Sequence, residues 1–168
     1  MKAIVAVDKN WGIGHEGKLL ERVPEDMGFL KNITMGKVVV MGRATFESLP
    51  GMKPLKGRTN IVLSTNRNYD QPGILVCKSL EEFFKTASGY PAEDIFLLGG
   101  ARVYYELLPY CSEAYVTKFK NTHPADCFFP DLDSDCTWTP EFIARDLEHN
   151  NLHYSRIQYT HSKILQFP

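Results

Sequence analysis

Ile95-Phe96-Leu97-Leu98-Gly99-Gly100-Ala101-Arg102-Val103-Tyr104 sets a short apolar run directly against two glycines and then a helix-like segment. The run lacks the polar–apolar alternation of a strand with one wet face. It predicts a strand covered on both sides, as in the parallel sheets of α/β proteins. The paired glycines remove side chains where backbone can approach a pyrophosphate, and the start of a helix offers free N–H groups to phosphate. The pattern is not G-x-G-x-x-G, and no acidic ribose ligand follows at the usual spacing, so the common dinucleotide fingerprint is absent.

Upstream, Val38-Val39-Val40-Met41-Gly42-Arg43-Ala44-Thr45 repeats the plan: apolar run, glycine, then a helix opening with arginine and threonine. Arginine adds bidentate phosphate contacts. Taken alone, this motif fits an ordinary strand-to-helix turn with a surface arginine equally well. Two such junctions together point to a cofactor lying across the carboxyl edge of a parallel sheet, where open α/β folds bind their ligands.

Apolar runs at 3–7, 37–41, 59–63, 73–76, 94–98 and 113–119 read as strands, and helix-like segments fall at 24–33, 44–49, 80–87 and 101–108. Pro24 suits a first helical position, and Ser79-Leu80-Glu81-Glu82 reads as a capping box. Strands and helices alternate, so the chain is read as a single α/β domain, residues 1–168, with a largely parallel sheet. The tail differs. Residues 141–147 and 153–165 read as two strands around a turn at 148–152, an antiparallel hairpin at one edge.

Composition narrows the function. The 168 residues suit one domain with a sizeable core, and a hydrophobic content of 43% argues against disorder. Nineteen basic residues face twenty acidic ones, so no global basic field points to nucleic acid. The four cysteines, Cys77, Cys111, Cys127 and Cys136, form no C-x-x-C pair, so no metal site is expected and the thiols read as reduced, cytoplasmic ones. No secretory signal is expected before Ala3, and no apolar run reaches the roughly 20 residues of a membrane span.

Asp26 is the residue most informative about chemistry. At helical spacing it lies over Leu30, near Phe29 and Ile33. Two readings fit: a solvent-facing aspartate complementing the helix dipole, or a carboxylate beside an apolar stripe that needs a cation or a pair of donors. A flat heterocycle with adjacent N–H groups would satisfy the second. Residues 8–22 read as a long loop with Gly12, Gly14 and Gly17 for flexibility and Trp11, Ile13, Leu19 and Leu20 as apolar anchors; loops of this length in compact domains are often lids. Arg58, at a strand start, fits either a turn or an anion site. His15, His149, His153 and His161 show no ligand spacing and read as surface residues. Tyr104 and Tyr105 read as core.

These pieces resemble the bacterial dihydrofolate reductase family along nearly the whole chain. The resemblance is carried by Ala6-Val7-Asp8, Gly12-Ile13-Gly14, Pro24-Glu25-Asp26-Met27, Met41-Gly42-Arg43-Ala44-Thr45-Phe46-Glu47-Ser48, Gly57-Arg58-Thr59-Asn60, Leu98–Tyr104, Tyr115-Val116-Thr117 and Phe129-Pro130-Asp131, in order and in register. It implies an eight-stranded, mostly parallel sheet with four flanking helices and a C-terminal antiparallel hairpin. It implies NADPH-dependent reduction of 7,8-dihydrofolate to tetrahydrofolate, with hydride passing to C6 and a proton to N5. A monomer that also binds antifolate inhibitors is implied. The alternatives are a related-fold reductase of a pyrimidine riboflavin precursor, which needs neither the Asp26 helix nor Arg58, and a non-catalytic nucleotide-binding module, which would have lost the loop or the carboxylate.

By position the resemblance assigns Asp26 to the pterin, with Thr117 supporting it. Its role is to position the ring and raise its basicity, not to protonate N5 directly. Ile4, Val5, Met27, Leu30, Leu49, Leu55 and Leu98 are implied to line the substrate cleft, and Arg58 to pair with the glutamate tail. Ala6, Ile13, Gly14 and Leu19 fall to the nicotinamide half of the cofactor. Gly42, Arg43, Ala44, Thr45, Leu63, Ser64, Thr65 and Lys78 fall to its adenosine and phosphate parts, with Leu98, Gly99, Gly100, Ala101, Arg102, Val103 and Tyr104 around a cis Gly99–Gly100 peptide. The sequence departs from the family pattern twice. Glu21 replaces the tryptophan of the family's Leu-Pro-Trp and sets a second carboxylate near Asp26. Ala44 stands where many relatives place a basic residue beside the cofactor's 2′-phosphate.

Overall fold

The computed structural model describes residues 1–168. Its centre is an eight-stranded sheet built from β1 (Lys2–Val7), β4 (Val38–Gly42), β5 (Thr59–Leu63), β6 (Leu75–Cys77), β7 (Ile95–Gly99), β8 (Glu113–Phe119), β10 (Trp138–His149) and β11 (Leu152–His161), in the order β10-β11-β8-β1-β7-β4-β5-β6. Strands β8, β1, β7, β4, β5 and β6 pair parallel; β11 runs antiparallel to β8 and β10 antiparallel to β11. The unalternating runs do lie in the sheet interior: Val38, Val39, Val40 and Met41 are all buried, as are Ile95, Phe96 and Leu97.

Four helices flank the sheet: α1 (Pro24–Thr34), α2 (Arg43–Glu47), α3 (Leu80–Ala87) and α4 (Ala101–Leu107). Helix α1 starts with proline, carries Glu25 and Asp26 in its first turn and has no side-chain cap. Helix α3 buries Phe83, Phe84 and Ala87, and Ser79 caps it by accepting from the Glu82 N–H at 3.1 Å. The capping box is not reciprocal as expected: Glu82 Oε2 accepts from the Lys78 N–H at 2.6 Å, one residue before the cap. The first strand of the C-terminal hairpin is longer than the sequence suggests, the second ends at His161 short of residue 165, and the two turn at Asn150-Asn151. Both asparagines have positive φ, 49° and 64°, as the two-residue type I′ turn requires.

Residues 8–22 are more ordered than a plain loop. Strands β2 (Gly12–His15) and β3 (Lys18–Leu19) join β9 (Cys127–Phe128) in a separate three-stranded sheet. These strands are too short and glycine-rich to show a period of two, so the sequence pattern hides them. Trp11 anchors the segment as expected, buried against Phe129 and Tyr159 with the Lys118 ammonium 4.2 Å from its ring. Leu19 does not anchor it and is exposed. At the base, Asp8 is buried and its Oδ1 accepts from the Asn10 and Gly12 N–H groups, each at 2.8 Å. A Cβ on Gly12 would lie 2.7 Å from Ala125 Cβ, so only glycine fits there.

Two other expectations need correction. Tyr104 is core, its hydroxyl donating to the Ile4 carbonyl at 2.7 Å, but Tyr105 is exposed. His161 is not a free surface residue: its ring stacks on Trp138 at 4.2 Å and faces the Cys111 carbonyl. The four cysteines are unpaired thiols, Cys77 and Cys111 buried, Cys127 and Cys136 exposed.

Candidate functional site

A cleft of about 660 Å³ runs along the carboxyl edge of the central strands. It joins the first turn of α1 to both strand–Gly–helix junctions and is roofed by residues 13–21. The topology makes this meeting point: β1, β4 and β7 are neighbours in the sheet, and each delivers its C-terminal end to the same edge.

At one end stands Asp26, about one-fifth exposed, so it is half-buried and not fully buried. Ile4, Val5, Ala6, Met27, Leu30 and Leu98 line the cleft around it, although Met27 remains half exposed. The Thr117 hydroxyl donates to Asp26 Oδ1. Arg156 Nη2 donates to the same oxygen at 3.2 Å. No local pattern marks Arg156, which sits in the middle of a C-terminal strand and 130 residues from its partner.

Glu21 also lines the cleft, so the departure from the family pattern does place a second carboxylate beside the site. It is tied to a residue the sequence reading passed over. Glu21 Oε1 lies 2.7 Å from His123 Nε2, while the His123 backbone N–H donates to Asp8 Oδ2 at 2.9 Å. His123 Nδ1 is buried with no hydrogen-bond partner and lies 4.0 Å from Asp8 Oδ2. Residues 14–16 are held from the same side: the Glu16 N–H donates to Asp126 Oδ2 at 2.8 Å, and the Asp126 N–H donates to the Gly14 carbonyl at 3.0 Å. The first of these bonds holds the Asp126 carboxyl below its ordinary range, with His15 adding to it through charge.

The other end is mostly backbone. Gly42, Gly99 and Gly100 line it, and the Gly99–Gly100 peptide is cis, as expected. Added Cβ atoms would lie 3.4 Å from Val103 Cγ2 at Gly42, 3.1 Å from the Tyr104 ring at Gly99 and 3.3 Å from Thr45 Oγ1 at Gly100. Arg43, Ala44, Thr45, Leu63, Ser64, Thr65, Lys78, Ala101, Arg102, Val103 and Tyr104 surround this floor, together with Ile13, Gly14 and Leu19 from the roof. A side-chain-free floor ringed by hydroxyls and cations suits a dinucleotide with its phosphates. A second hollow beside it is lined by Thr65, Arg67, Lys78, Ser79 and Glu82. Arg67 is a further cation that sequence reasoning missed. The Lys78 ammonium is held by the Asn66 and Tyr69 carbonyls.

Several residues lie outside the cleft. Leu49 and Leu55 pack on the small core cluster of Met41 and Phe46. Arg58 Nη1 donates to Thr34 Oγ1 at 3.2 Å and its Nε to the Lys56 carbonyl at 3.1 Å. Thr117 contributes through Asp26 and does not line the cleft itself. No group of three or more His, Cys, Asp or Glu side chains could hold a metal ion.

The family model described as dihydrofolate reductase matches residues 1–161. The dihydrofolate reductase of Neisseria gonorrhoeae is 35% identical over 93% of this chain and 94% of its own length. The soybean bifunctional dihydrofolate reductase-thymidylate synthase is 33% identical over 94% of this chain, which spans only 33% of that longer protein. Among solved structures, a dihydrofolate reductase from Enterococcus faecalis, complexed with NADP(H) and RAB-propyl, superposes with a TM-score of 0.83 at 36% identity, covering 95% of each chain.

Proposed function

The chain belongs to the dihydrofolate reductase family, and from that premise we propose that it reduces 7,8-dihydrofolate to 5,6,7,8-tetrahydrofolate with NADPH as reductant. The observation that carries this reading is one continuous cleft joining the Asp26 carboxylate to a glycine floor ringed by cations. Neither a pyrimidine precursor reductase nor a non-catalytic module is favoured, because the carboxylate, the glycine floor and the ordered roof are all present.

NADPH, when bound, would supply the hydride for C6 of the pterin. Around it, Gly42, Gly99 and Gly100 leave room for the dinucleotide backbone. Arg43, Thr45, Ser64, Thr65 and Lys78 meet its phosphates and adenosine. Arg67 supplies charge at the 2′-phosphate end, where Ala44 cannot. Ile13, Gly14 and Leu19 cover the nicotinamide half, and the ties from residues 14–16 and 21 to Asp126 and His123 hold this roof down and exclude water. Asp26 accepts from the pyrimidine N–H edge of the pterin, orients the ring and makes N5 more basic; the proton arrives at N5 from water. Ile4, Val5, Met27, Leu30 and Leu98 enclose the ring. Leu49, Leu55 and Arg58, beyond the cleft on the same side, meet the benzoyl-glutamate tail.

The enzyme acts as a monomer. Edge strand β10 carries Pro140, Glu141, Arg145 and Asp146, with irregular register around Ala144, features that discourage edge pairing. Unpaired cysteines fit a reducing cytoplasm, and no helix is long and apolar enough to cross a membrane.

The test is a coupled loss of NADPH absorbance on mixing purified protein, dihydrofolate and NADPH. Asp26→Asn is expected to lower kcat/KM for dihydrofolate by about 100-fold or more at neutral pH. A rate near wild type would remove Asp26 from the mechanism.

A further inference from the structure

Asp26 is not a bare carboxylate in an apolar cleft. Its Oδ1 takes hydrogen bonds from both Thr117 and Arg156. Strand register explains why these two arrive together. Arg156 on β11 stands directly opposite Thr117 on β8, and cross-strand partners project to the same face of a sheet. In β10, the residue beside Arg156 is Ala144, flanked on each side by a register shift, so a small side chain neighbours the bulky one.

The arginine is fixed as well as close. Its guanidinium lies 4.0 Å from the Phe29 ring centroid, and its side chain is only 11% exposed. Phe29 is itself held edge-on to Tyr115 at 6.1 Å. A planar guanidinium stacked on an aromatic ring and aimed at a carboxylate loses little further freedom on forming that bond. Arg156 Nε, buried with no partner, shows that the group serves no other polar contact from that nitrogen.

Other ionisable groups nearby are already engaged. Glu25, next to Asp26 on α1, lies 3.2 Å from His149 Nδ1. Lys118, next to Thr117 on β8, is paired with Asp133 at 2.5 Å. Glu21 in the roof is tied to His123. Tyr154 shares β11 with Arg156, and burial, then Glu25, push its phenol up, so it remains neutral. Arg156 is therefore the cation that answers Asp26.

We propose that Arg156 is a positioning residue for Asp26: with Thr117 it holds Oδ1, fixes the carboxylate in place at the mouth of an apolar cleft, and leaves Oδ2 open to a ring N–H donor of the substrate. Asp26 Oδ2 accepts no hydrogen bond within the protein, which leaves both of its lone pairs for a ligand. This rests on the reading of Asp26 as the pterin-binding group.

The test labels aspartate carboxyl carbons with 13C and follows the Asp26 resonance, assigned by its loss in Asp26→Asn, across pH. Removing a guanidinium 3.2 Å away disfavours the charged form, so the midpoint in Arg156→Met should move up by about one pH unit or more. The pH profile of kcat/KM for dihydrofolate should move in the same direction, KM for NADPH should stay unchanged, and Arg156→Lys should restore most of the shift. Arg156→Gln, which keeps polarity without charge, gives the same reading if the methionine variant does not fold. A folded, charge-free variant with an unmoved midpoint would overturn the proposal and reduce Arg156 to packing against Phe29. The resonance needs no turnover, so it can succeed or fail independently of the reductase reading, which fails instead if the unaltered protein consumes no NADPH in the presence of dihydrofolate.

Discussion

At the nucleotide end of the cleft the surface is backbone, and its shape follows from missing side chains: Gly42, Gly99 and Gly100 leave the floor open, and Val103, Tyr104 and Thr45 would lie 3.1–3.4 Å from Cβ atoms added there. At the pterin end the surface is made by side chains, and both carboxylates there are answered by partners from distant segments, Asp26 by Arg156 and Glu21 by His123. The first construction tolerates almost no change in a few contiguous residues. The second depends on pairs set by sheet register and loop docking. Under the proposed assignment, cofactor geometry is built into the sheet edge and substrate recognition into side-chain pairs.

The largest effect that tests this division is Gly99→Ala. Gly99 has φ of +109°, a region closed to L side chains, and its Cβ would lie 3.1 Å from a Tyr104 ring pinned through its hydroxyl to Ile4. Strain of this kind costs about 2 kcal/mol, visible as a lowered Tm. KM for NADPH should rise about tenfold or more, from loss of about 1.4 kcal/mol of binding, while KM for dihydrofolate stays within about twofold. An equal rise in both would show that the two ends are one mechanical unit.

Glu21→Ala attacks the other end and should do less. The Glu21–His123 pair is partly open to water, with side chains 32% and 19% exposed, and pairs of that kind contribute about 1 kcal/mol or less. Substrate kcat/KM should change by about fivefold or less, and KM for NADPH, through the loosened roof, by less than that. Steady-state kinetics with each substrate varied in turn reads both. A shift confined to NADPH would place Glu21 on the wrong side of the division.

How much of the site can be read from sequence follows the same line. The nucleotide end is local: each strand–Gly–helix junction is a contiguous run, so Met41–Thr45 and Leu98–Tyr104 announce themselves by composition. The parallel core is legible for the same reason, since a strand buried on both faces needs an unbroken apolar run. Asp26 was visible as an anomaly, but its surroundings were not. Arg156 reaches it only because β11 pairs with β8 in a register that places residue 156 opposite 117, and no local pattern encodes that register. His123 was hidden because its partners, Glu21 and Asp8, lie about a hundred residues away, as the separations of 102 and 115 show. The small sheet of β2, β3 and β9 leaves no local signal, because strands of four, two and two residues carry no period to detect.

The roof spans both ends, and its tie to Asp126 carries an acid response. Asp126 is held below the ordinary carboxylate range chiefly by the Glu16 N–H. A carboxylate with a lowered folded-state value contributes stability that is complete above its unfolded value of 3.8 and disappears as pH falls through the lowered one. This tie is therefore constant across neutral and mildly acidic solution and loosens only in strong acid. Because Asp126 is a surface group, the effect is the smallest expected here. Hydrogen exchange at the Glu16 amide, corrected for the intrinsic pH dependence of exchange, should show protection that is flat down to about pH 4 and falls below it. Asp126→Asn should remove that fall and leave the rest of the protection profile in place. Protection of Glu16 that instead changed between pH 5 and 8 would show that the Asp126 carboxylate does not govern this part of the roof.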